Sequence, residues 1–265
     1  MSAIFTALLS HSIVAAMPKA NLRVFPSLEA LSRQAAGRFA ELARQRAAKG
    51  EAFAAALSGG STPKRLYELL ARPEFSGALP WGRIHLFQVD ERCVPPDHTE
   101  SNYRMIRQAL LSQAPVPAEH FHRMEAERQD LEDAARRYAA EIARILAPAP
   151  GEWPRFDLIL LGLGPDGHTA SLFPESPALA EQRLWVRPNY VEKFKAHRLT
   201  LTFPVINAAS EVIFLVAGED KAEALGRVLQ PQSEGRSLPA QGVCPQNGRL
   251  TWFVDEAAAR LLASA

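Results

Sequence analysis

Residues 162–169, with the sequence GLGPDGHT, carry a carboxylate and an imidazole two positions apart. A tight turn at the glycines can bring Asp166 close to His168. A carboxylate that binds one ring nitrogen fixes the tautomer of the imidazole and raises the basicity of the other nitrogen, as a general base requires. The alternative is structural: Asp166 forms an Asx turn and His168 caps the next helix. The pair seen alone leaves both interpretations open.

The same segment matches the pattern G-x-G-x-x-G through Gly162, Gly164 and Gly167, which raises the possibility of a dinucleotide site. Such a site needs an acidic residue at the end of a second strand about 20 residues further on. Residues 187–190 occupy that place with the sequence RPNY, and no strand signal precedes them. Pro165 also stiffens the turn that a phosphate would approach. We therefore predict no dinucleotide cofactor.

A second candidate is the segment SGGSTPK at residues 58–64. Two glycines let backbone N–H groups turn inward, and the hydroxyls of Ser61 and Thr62 add donors. A helix predicted to begin at Pro63, with Thr62 as its N-cap, directs its positive end to the same point, which favours a phosphate. The Walker A pattern is absent, so no nucleoside triphosphate is implied. The alternative is an ordinary tight turn between a strand and a helix.

A third candidate is the charged loop DER at residues 90–92, which follows a predicted apolar strand. Three charged residues at this place are either solvated or line a ligand site. The other polar residues are less promising. His120 and His122 have strand-like spacing but no third ligand, so we predict no metal site, and the isolated His85 is expected to be structural or solvated.

Short apolar runs alternate with helical patterns, which predicts an α/β fold: a single Rossmann-like domain, at residues 21–265, with a mostly parallel sheet flanked by helices. Strands are predicted at residues 53–57, 84–89, 156–161, 198–202, 211–217 and 250–254. Helices are predicted after Ser27, at residues 130–147, after Asp220 and from Asp255. Ligands of open α/β sheets bind outside the carboxyl ends of the strands, so the three candidate segments are expected to converge there.

Composition limits the partners. Thirty Lys+Arg against 29 Asp+Glu give the 265-residue chain a net charge of +1, which indicates neither a nucleic acid nor a membrane surface. Two cysteines form no disulfide scaffold and indicate a reducing, cytoplasmic compartment. No exposed apolar stripe is obvious, so we predict a monomer. Residues 1–20 are predicted to be a flexible extension, because their apolar run lacks the preceding positive charge of a signal peptide.

Taken together and in order, several segments resemble the 6-phosphogluconolactonase family, within the wider group that includes glucosamine-6-phosphate deaminases. They are LSGGSTP at 57–63, DER at 90–92 with SNY at 101–103, GLGPDGHTASLFP at 162–174, RLTLT at 198–202 and GEDKA at 218–222. The resemblance implies hydrolysis of 6-phospho-D-glucono-1,5-lactone to 6-phospho-D-gluconate. This carboxylic ester hydrolysis is the second step of the oxidative pentose phosphate pathway and uses neither a metal nor an organic cofactor.

The resemblance also implies roles for particular residues. His168 is the general base that takes a proton from the attacking water, Asp166 orients His168, and Arg92 faces the lactone carbonyl. Asp90 contacts a sugar hydroxyl or organises its loop. The residues implied at the phosphate are Gly59, Gly60, Ser61, Thr62, Arg198 and Lys221.

One departure separates the two branches of this group. The deaminases have Gly-His followed by a run that ends in Asn-Glu-Pro, whose Glu assists ring opening. Phe173 stands at that place here and cannot transfer a proton, and Glu175 lies beyond Pro174, two positions late. A lactonase is therefore favoured, with a deaminase as the alternative. A non-catalytic sugar-phosphate-binding regulator is a further alternative, although it would need neither His168 nor Arg92.

Overall fold

The computed structural model describes residues 21–230 and 238–262, so the predicted extension at residues 1–20 lies outside the described part of the chain. Seven strands form one sheet in which every neighbouring pair is parallel. In spatial order they are β1 (Asn21–Phe25), β10 (Arg249–Asp255), β9 (Glu211–Val216), β6 (Leu158–Leu161), β2 (Phe53–Leu57), β3 (Ile84–Gln88) and β5 (Phe121–His122). The predicted α/β class with a mostly parallel sheet is confirmed.

Helices cover both faces of this sheet, which explains why central strands such as β2 and β6 are continuously apolar. Alternate residues of β2 point to opposite sides: Ala54 and Ala56 pack in one core, Ala55 and Leu57 in the other. The helices are α1 (Leu28–Ala48), α2 (Ser61–Ala71), α3 (Pro73–Ser76), α4 (Asn102–Ile106), α5 (Leu131–Leu146), α6 (Phe203–Ala208), α7 (Ala222–Leu229) and α8 (Glu256–Ala259). Helices α1, α2 and α4 pack on one face, and α5 to α8 pack on the other.

Side-chain caps begin several helices where the sequence predicts them. Ser27 and Asp255 each accept a hydrogen bond from the first turn of the helix that follows, as does Asp130. Two predicted starts are wrong. Helix α2 begins at Ser61 because Gly60, with φ of 108°, serves as its N-cap. Asp220 caps no helix, since it lies in a 3₁₀ turn that precedes α7.

A second, three-stranded antiparallel sheet contains β4 (Asp90–Arg92), β8 (Ala196–Leu201) and β7 (Val186–Val191). Residues 90–92 are therefore a strand and not the predicted loop, and a strand exists at residues 187–190, where none was expected. Both are short polar segments whose pairing partners the local pattern does not reveal. In the register of β4 and β8, Arg92 lies opposite Arg198. Within the described residues, no helix is long and apolar enough to cross a lipid bilayer.

Candidate active site

A cleft of about 200 Å³ lies at the carboxyl ends of the parallel strands, and the three candidate segments meet there. Residues 58–63 follow β2, Asp90 and Arg92 come from β4, and residues 162–165 with His168 follow β6. Lys221, just before α7, also lines this cleft. The predicted convergence is confirmed, because parallel strands deliver their following loops to one edge of the sheet.

The imidazole of His168 is held by Asp166. The distance from His168 Nδ1 to Asp166 Oδ1 is 2.5 Å, and this hydrogen bond assigns the ring proton to Nδ1, which leaves the lone pair on Nε2. The same bond holds the pKa of Asp166 well below its usual range, so the carboxylate is charged. Asp166 Oδ1 also lies 3.4 Å from the backbone N–H of His168, as in an Asx turn. No helix begins after His168, so it is not a helix cap.

Two neighbours enclose the imidazole. Phe173, 6% exposed, stacks on it with ring centroids 4.0 Å apart and an interplanar angle of 23°. A Cβ at Gly164 would lie 1.9 Å from His168 Nδ1, so only glycine fits at this position. Gly164 also donates its N–H to the carbonyl of His168 at 2.9 Å. Phe173 therefore places an apolar ring, without an acid, directly against the imidazole.

Asp90 joins the glycine segment to the histidine segment. Its buried carboxylate accepts hydrogen bonds from Ser171 Oγ at 2.6 Å and from Asn102 Nδ2 at 3.4 Å. The Asn102 side chain in turn contacts Gly59 so closely that a Cβ there would lie 1.7 Å from Asn102 Oδ1. Asn102 lines the cleft but was not a predicted site residue. Its only sequence signal is its place in the SNY motif.

Glu91 is the second residue that sequence reasoning missed. Its side chain is buried, away from the cleft lining, and its carboxylate accepts five hydrogen bonds. The donors are Gln88 Nε2, Ser101 Oγ and the backbone N–H groups of Arg92, Asn102 and Tyr103. Glu91 thus fixes the backbone of Arg92 against the start of α4. A charge run in sequence cannot show which of its members turns inward.

Arg92 and Arg198 face each other across β4 and β8. Arg92 lines the cleft and donates to the carbonyl of Glu100. Arg198 is not among the lining residues; its guanidinium lies 5.6 Å from the Phe194 ring centroid and donates to the carbonyl of His197. Burial and the charge of Arg92 lower the pKa of Arg198. Within the described residues neither arginine forms a salt bridge, so both positive charges can act on an anion.

The start of α2 supplies the other positive element. It has no side-chain cap and no acidic residue in its first turn, so its first N–H groups can bind an anion. Ser58 lies beside it in the cleft lining, and its Oγ is buried without a hydrogen-bond partner. Lys221 Nζ lies 2.9 Å from Asp220 Oδ2, within the same cleft edge. Ser58 was not a predicted site residue.

Three other histidines, His85, His120 and His122, form a separate cluster, so His85 has a structural place although it is isolated in the sequence. His85 Nδ1 lies 3.0 Å from His122 Nε2, and His122 Nδ1 lies 2.7 Å from Glu141 Oε1. The rings of His120 and His85 are tilted against each other with centroids 4.2 Å apart, and burial lowers the pKa of His85 to about 4. Among the described residues, no group of three or more His, Cys, Asp or Glu side chains could hold a metal ion.

A comparison with known protein families decides the identity. Residues 26–252 match the family described as glucosamine-6-phosphate isomerases/6-phosphogluconolactonase. The chain belongs to this family. All three segments of the cleft lie inside the matched range.

Curated relatives in the family are named 6-phosphogluconolactonase. The one from Synechocystis sp. is 48% identical over 77% of this chain and 82% of its own, and the human one is 43% identical over 87% and 91%. A solved structure of 6-phosphogluconolactonase from Trypanosoma cruzi superposes with a TM-score of 0.81 at 30% identity, covering 94% of this chain and 99% of its own. The family resemblance is therefore confirmed over nearly the whole fold.

Proposed function

We propose that this protein hydrolyses 6-phospho-D-glucono-1,5-lactone to 6-phospho-D-gluconate by His168-assisted attack of water. The observation that carries the proposal is the His168–Asp166 pair in the cleft, with Phe173 stacked on the imidazole. A deaminase needs an acid beside this histidine to open a sugar ring, and Phe173 cannot serve as one. A lactone is already an activated ester, so a single base and no covalent nucleophile suffices.

In the proposed reaction, His168 Nε2 takes a proton from water while the water oxygen bonds to the lactone carbonyl carbon. Arg92 stabilises the negative charge that develops on the carbonyl oxygen. When the tetrahedral intermediate collapses, the bond from that carbon to the ring oxygen breaks, and the protonated His168 returns the proton to the leaving ring oxygen. Asp166 remains charged throughout and stabilises the imidazolium.

The phosphate of the substrate occupies the start of α2 in this proposal. A phosphate monoester carries a charge of about −1.5 to −2 near neutral pH. Backbone N–H groups of Ser61 and Thr62, the unpartnered Ser58 hydroxyl and Lys221 face this charge from two sides of the cleft. Arg198 approaches from β8, next to Arg92. Binding the phosphate there would hold the lactone end in register with His168.

The proposed cellular location, cofactor requirement and partners follow from the proposed reaction and from the cysteines. We place the enzyme in the cytoplasm at the second step of the oxidative pentose phosphate pathway, since Cys93 and Cys244 are free thiols. It needs neither metal nor organic cofactor, because water is the nucleophile and the base is a side chain. We propose a monomer with no nucleic-acid partner.

The test follows the loss of freshly generated 6-phosphogluconolactone above its spontaneous rate, with glucosamine 6-phosphate as the competing substrate. We expect rapid lactone hydrolysis without ammonia release. His168→Ala should lower kcat by about 10²–10⁴-fold and leave KM nearly unchanged, because the phosphate contacts lie elsewhere. His197→Ala removes an exposed imidazole outside the cleft and is the matched control.

Three results would contradict the proposal. Ammonia release from glucosamine 6-phosphate would make the protein a deaminase despite Phe173. No acceleration with either substrate would favour a sugar-phosphate-binding regulator. A His168→Ala protein with normal turnover and weakened binding would remove His168 from the role of base.

A further inference from the structure

The turn between β7 and β8 reaches the catalytic pair from outside the cleft. This hairpin turn, Glu192–Phe194, is closed by Lys195 in the left-handed region, with φ of 47°. Lys193 Nζ lies 3.1 Å from Asp166 Oδ2, while Asp166 Oδ1 binds His168 Nδ1 at 2.5 Å. One carboxylate therefore bridges the lysine and the imidazole, with one oxygen for each.

The next residue of the turn supports the imidazole by a second route. Phe194 packs edge-on against Phe173, with centroids 5.7 Å apart and an interplanar angle of 78°. Phe173 itself stacks on His168. Two consecutive residues of the hairpin turn thus contact both groups that hold the imidazole. Nothing in the local sequence around Asp166 reveals this, because the turn lies 27 positions away.

We propose that Lys193 is a positioning residue that acts on His168 through Asp166. This inference rests on the lactonase function proposed above. By occupying Oδ2, Lys193 stops the carboxylate from rotating, so that Oδ1 stays on Nδ1 and the lone pair stays on Nε2. Its positive charge also opposes a second positive charge on the nearby imidazole.

The charged groups around His168 define what a titration would report. Asp166 lies on its own segment and Lys193 on the hairpin turn. Asp90 and Arg92 of β4, and Lys221 before α7, line the same cleft. Among the described residues, Lys193 is the one whose side chain contacts Asp166 Oδ2, so removal of its charge leaves the other groups in place. The Lys193 side chain is 54% exposed, so its ion pair contributes little to folding.

The test compares Lys193→Met, which keeps the chain length, with Lys193→Arg, which keeps the charge. Lys195→Met is the matched control, because it removes the same charge two residues away without touching Asp166. The first readout is the NMR titration midpoint of the His168 imidazole in the unliganded protein, which does not depend on activity. The second is the pH profile of kcat with the lactone, and the third is the melting temperature.

We expect Lys193→Met to move the titration midpoint and the acidic limb of the kcat profile upward by about half a pH unit. kcat at its optimum should fall about tenfold, because Asp166 loses the partner that keeps its carboxylate on the imidazole. KM and the melting temperature should stay unchanged. Lys193→Arg should restore kcat, and Lys195→Met should match the wild type.

The proposal is overturned if Lys193→Met leaves both the midpoint and the kcat profile unchanged. It is also overturned if only KM rises, which would place Lys193 on the substrate, or if only the melting temperature falls. A shifted midpoint in a protein that does not accelerate lactone hydrolysis would support the Lys193–Asp166–His168 arrangement and remove the proposed function instead. The positioning role of Lys193 and the proposed lactonase function can therefore be refuted independently of each other.

Discussion

The glycine before the proposed catalytic pair, Asp166 and His168, provides a sharp test of how the site works. A Cβ added at Gly164 would lie 1.9 Å from His168 Nδ1 and 2.1 Å from His168 Cε1. An ordinary contact needs about 3.4 Å, so the imidazole must move by about 1.5 Å. The hydrogen bond from His168 Nδ1 to Asp166 Oδ1 is 2.5 Å long, and a displacement of this size disrupts its geometry. Gly164→Ala should therefore displace the base without removing it.

The expected cost follows from this displacement. A catalytic group misplaced by about 1 Å loses roughly 10²-fold in rate, so kcat for lactone hydrolysis should fall about 100-fold in Gly164→Ala. KM should change little, because the proposed phosphate contacts lie at the start of α2. Overpacking should lower the free energy of unfolding by about 1–3 kcal/mol, which leaves the fold intact.

The matched control is Gly82→Ala, in a turn outside the cleft lining. A Cβ at Gly82 meets nothing within 4 Å, and its backbone is not in the left-handed region, so kcat should stay near wild type. A double variant sharpens the test: adding Gly164→Ala to His168→Ala should cost nothing further, since the displaced group is already gone. A Gly164→Ala enzyme with kcat within threefold of wild type, or full additivity in the double variant, would refute the reasoning.

Two further predictions concern a cleft residue and the histidine cluster. Ser58→Ala should raise KM about tenfold, because a hydrogen bond to a charged group contributes about 1.5–3 kcal/mol. The substitution should not lower the melting temperature, since the hydroxyl that it removes is buried without a hydrogen-bond partner. Ser32→Ala removes another such hydroxyl in α1 and should leave KM unchanged; equal KM values in both variants would exclude Ser58 from binding. Burial lowers the pKa of His85 to about 4. Between about pH 6.5 and 4 the unfolded chain therefore binds a proton at this residue that the folded protein does not bind. The contribution of neutral His85 to the free energy of unfolding is present above this window and is lost as the pH falls through it. After allowance for partial exposure, the loss amounts to about 1–2 kcal/mol. Urea unfolding at pH 7 and 4.5 should therefore show a smaller pH dependence of stability in His85→Asn than in the wild type. Identical pH dependence in the two proteins would contradict this prediction.

Much of the parallel sheet was predictable because its signals are local. The apolar run at residues 53–57 ends at Gly59 and Gly60, and a strand followed by a glycine turn and a helix is what the structure contains. The start of α2 was predicted two residues late, because a helix capped by a glycine backbone has no capping side chain to detect. Ligands of open α/β sheets bind outside the carboxyl ends of the strands, and this was enough to predict that the three segments surround one cleft, although their contacts were unknown.

The antiparallel sheet was not predictable in the same way. Residues 90–92 are three charged side chains, and only their pairing with β8, more than 100 positions away, makes them a strand. The pairing decides that Glu91 turns inward to fix the backbone, while Asp90 and Arg92 line the cleft. It also sets Arg198 opposite Arg92 on the neighbouring strand, outside the cleft lining.

The sequence by itself determined the parallel α/β sheet, the edge at which the site forms and the identity of the His168–Asp166 pair. Each of these depends on residues that are neighbours along the chain, or on a rule that applies to every parallel sheet. Only the tertiary structure decided that Phe173 covers the imidazole, that Asn102 requires a glycine at position 59, and that Lys193 binds the second carboxylate oxygen of Asp166. The Lys193 and Asn102 contacts join segments that are far apart in sequence. The stacking of Phe173 depends on how its loop folds back on His168. Composition, periodicity and spacing do not predict contacts of this kind.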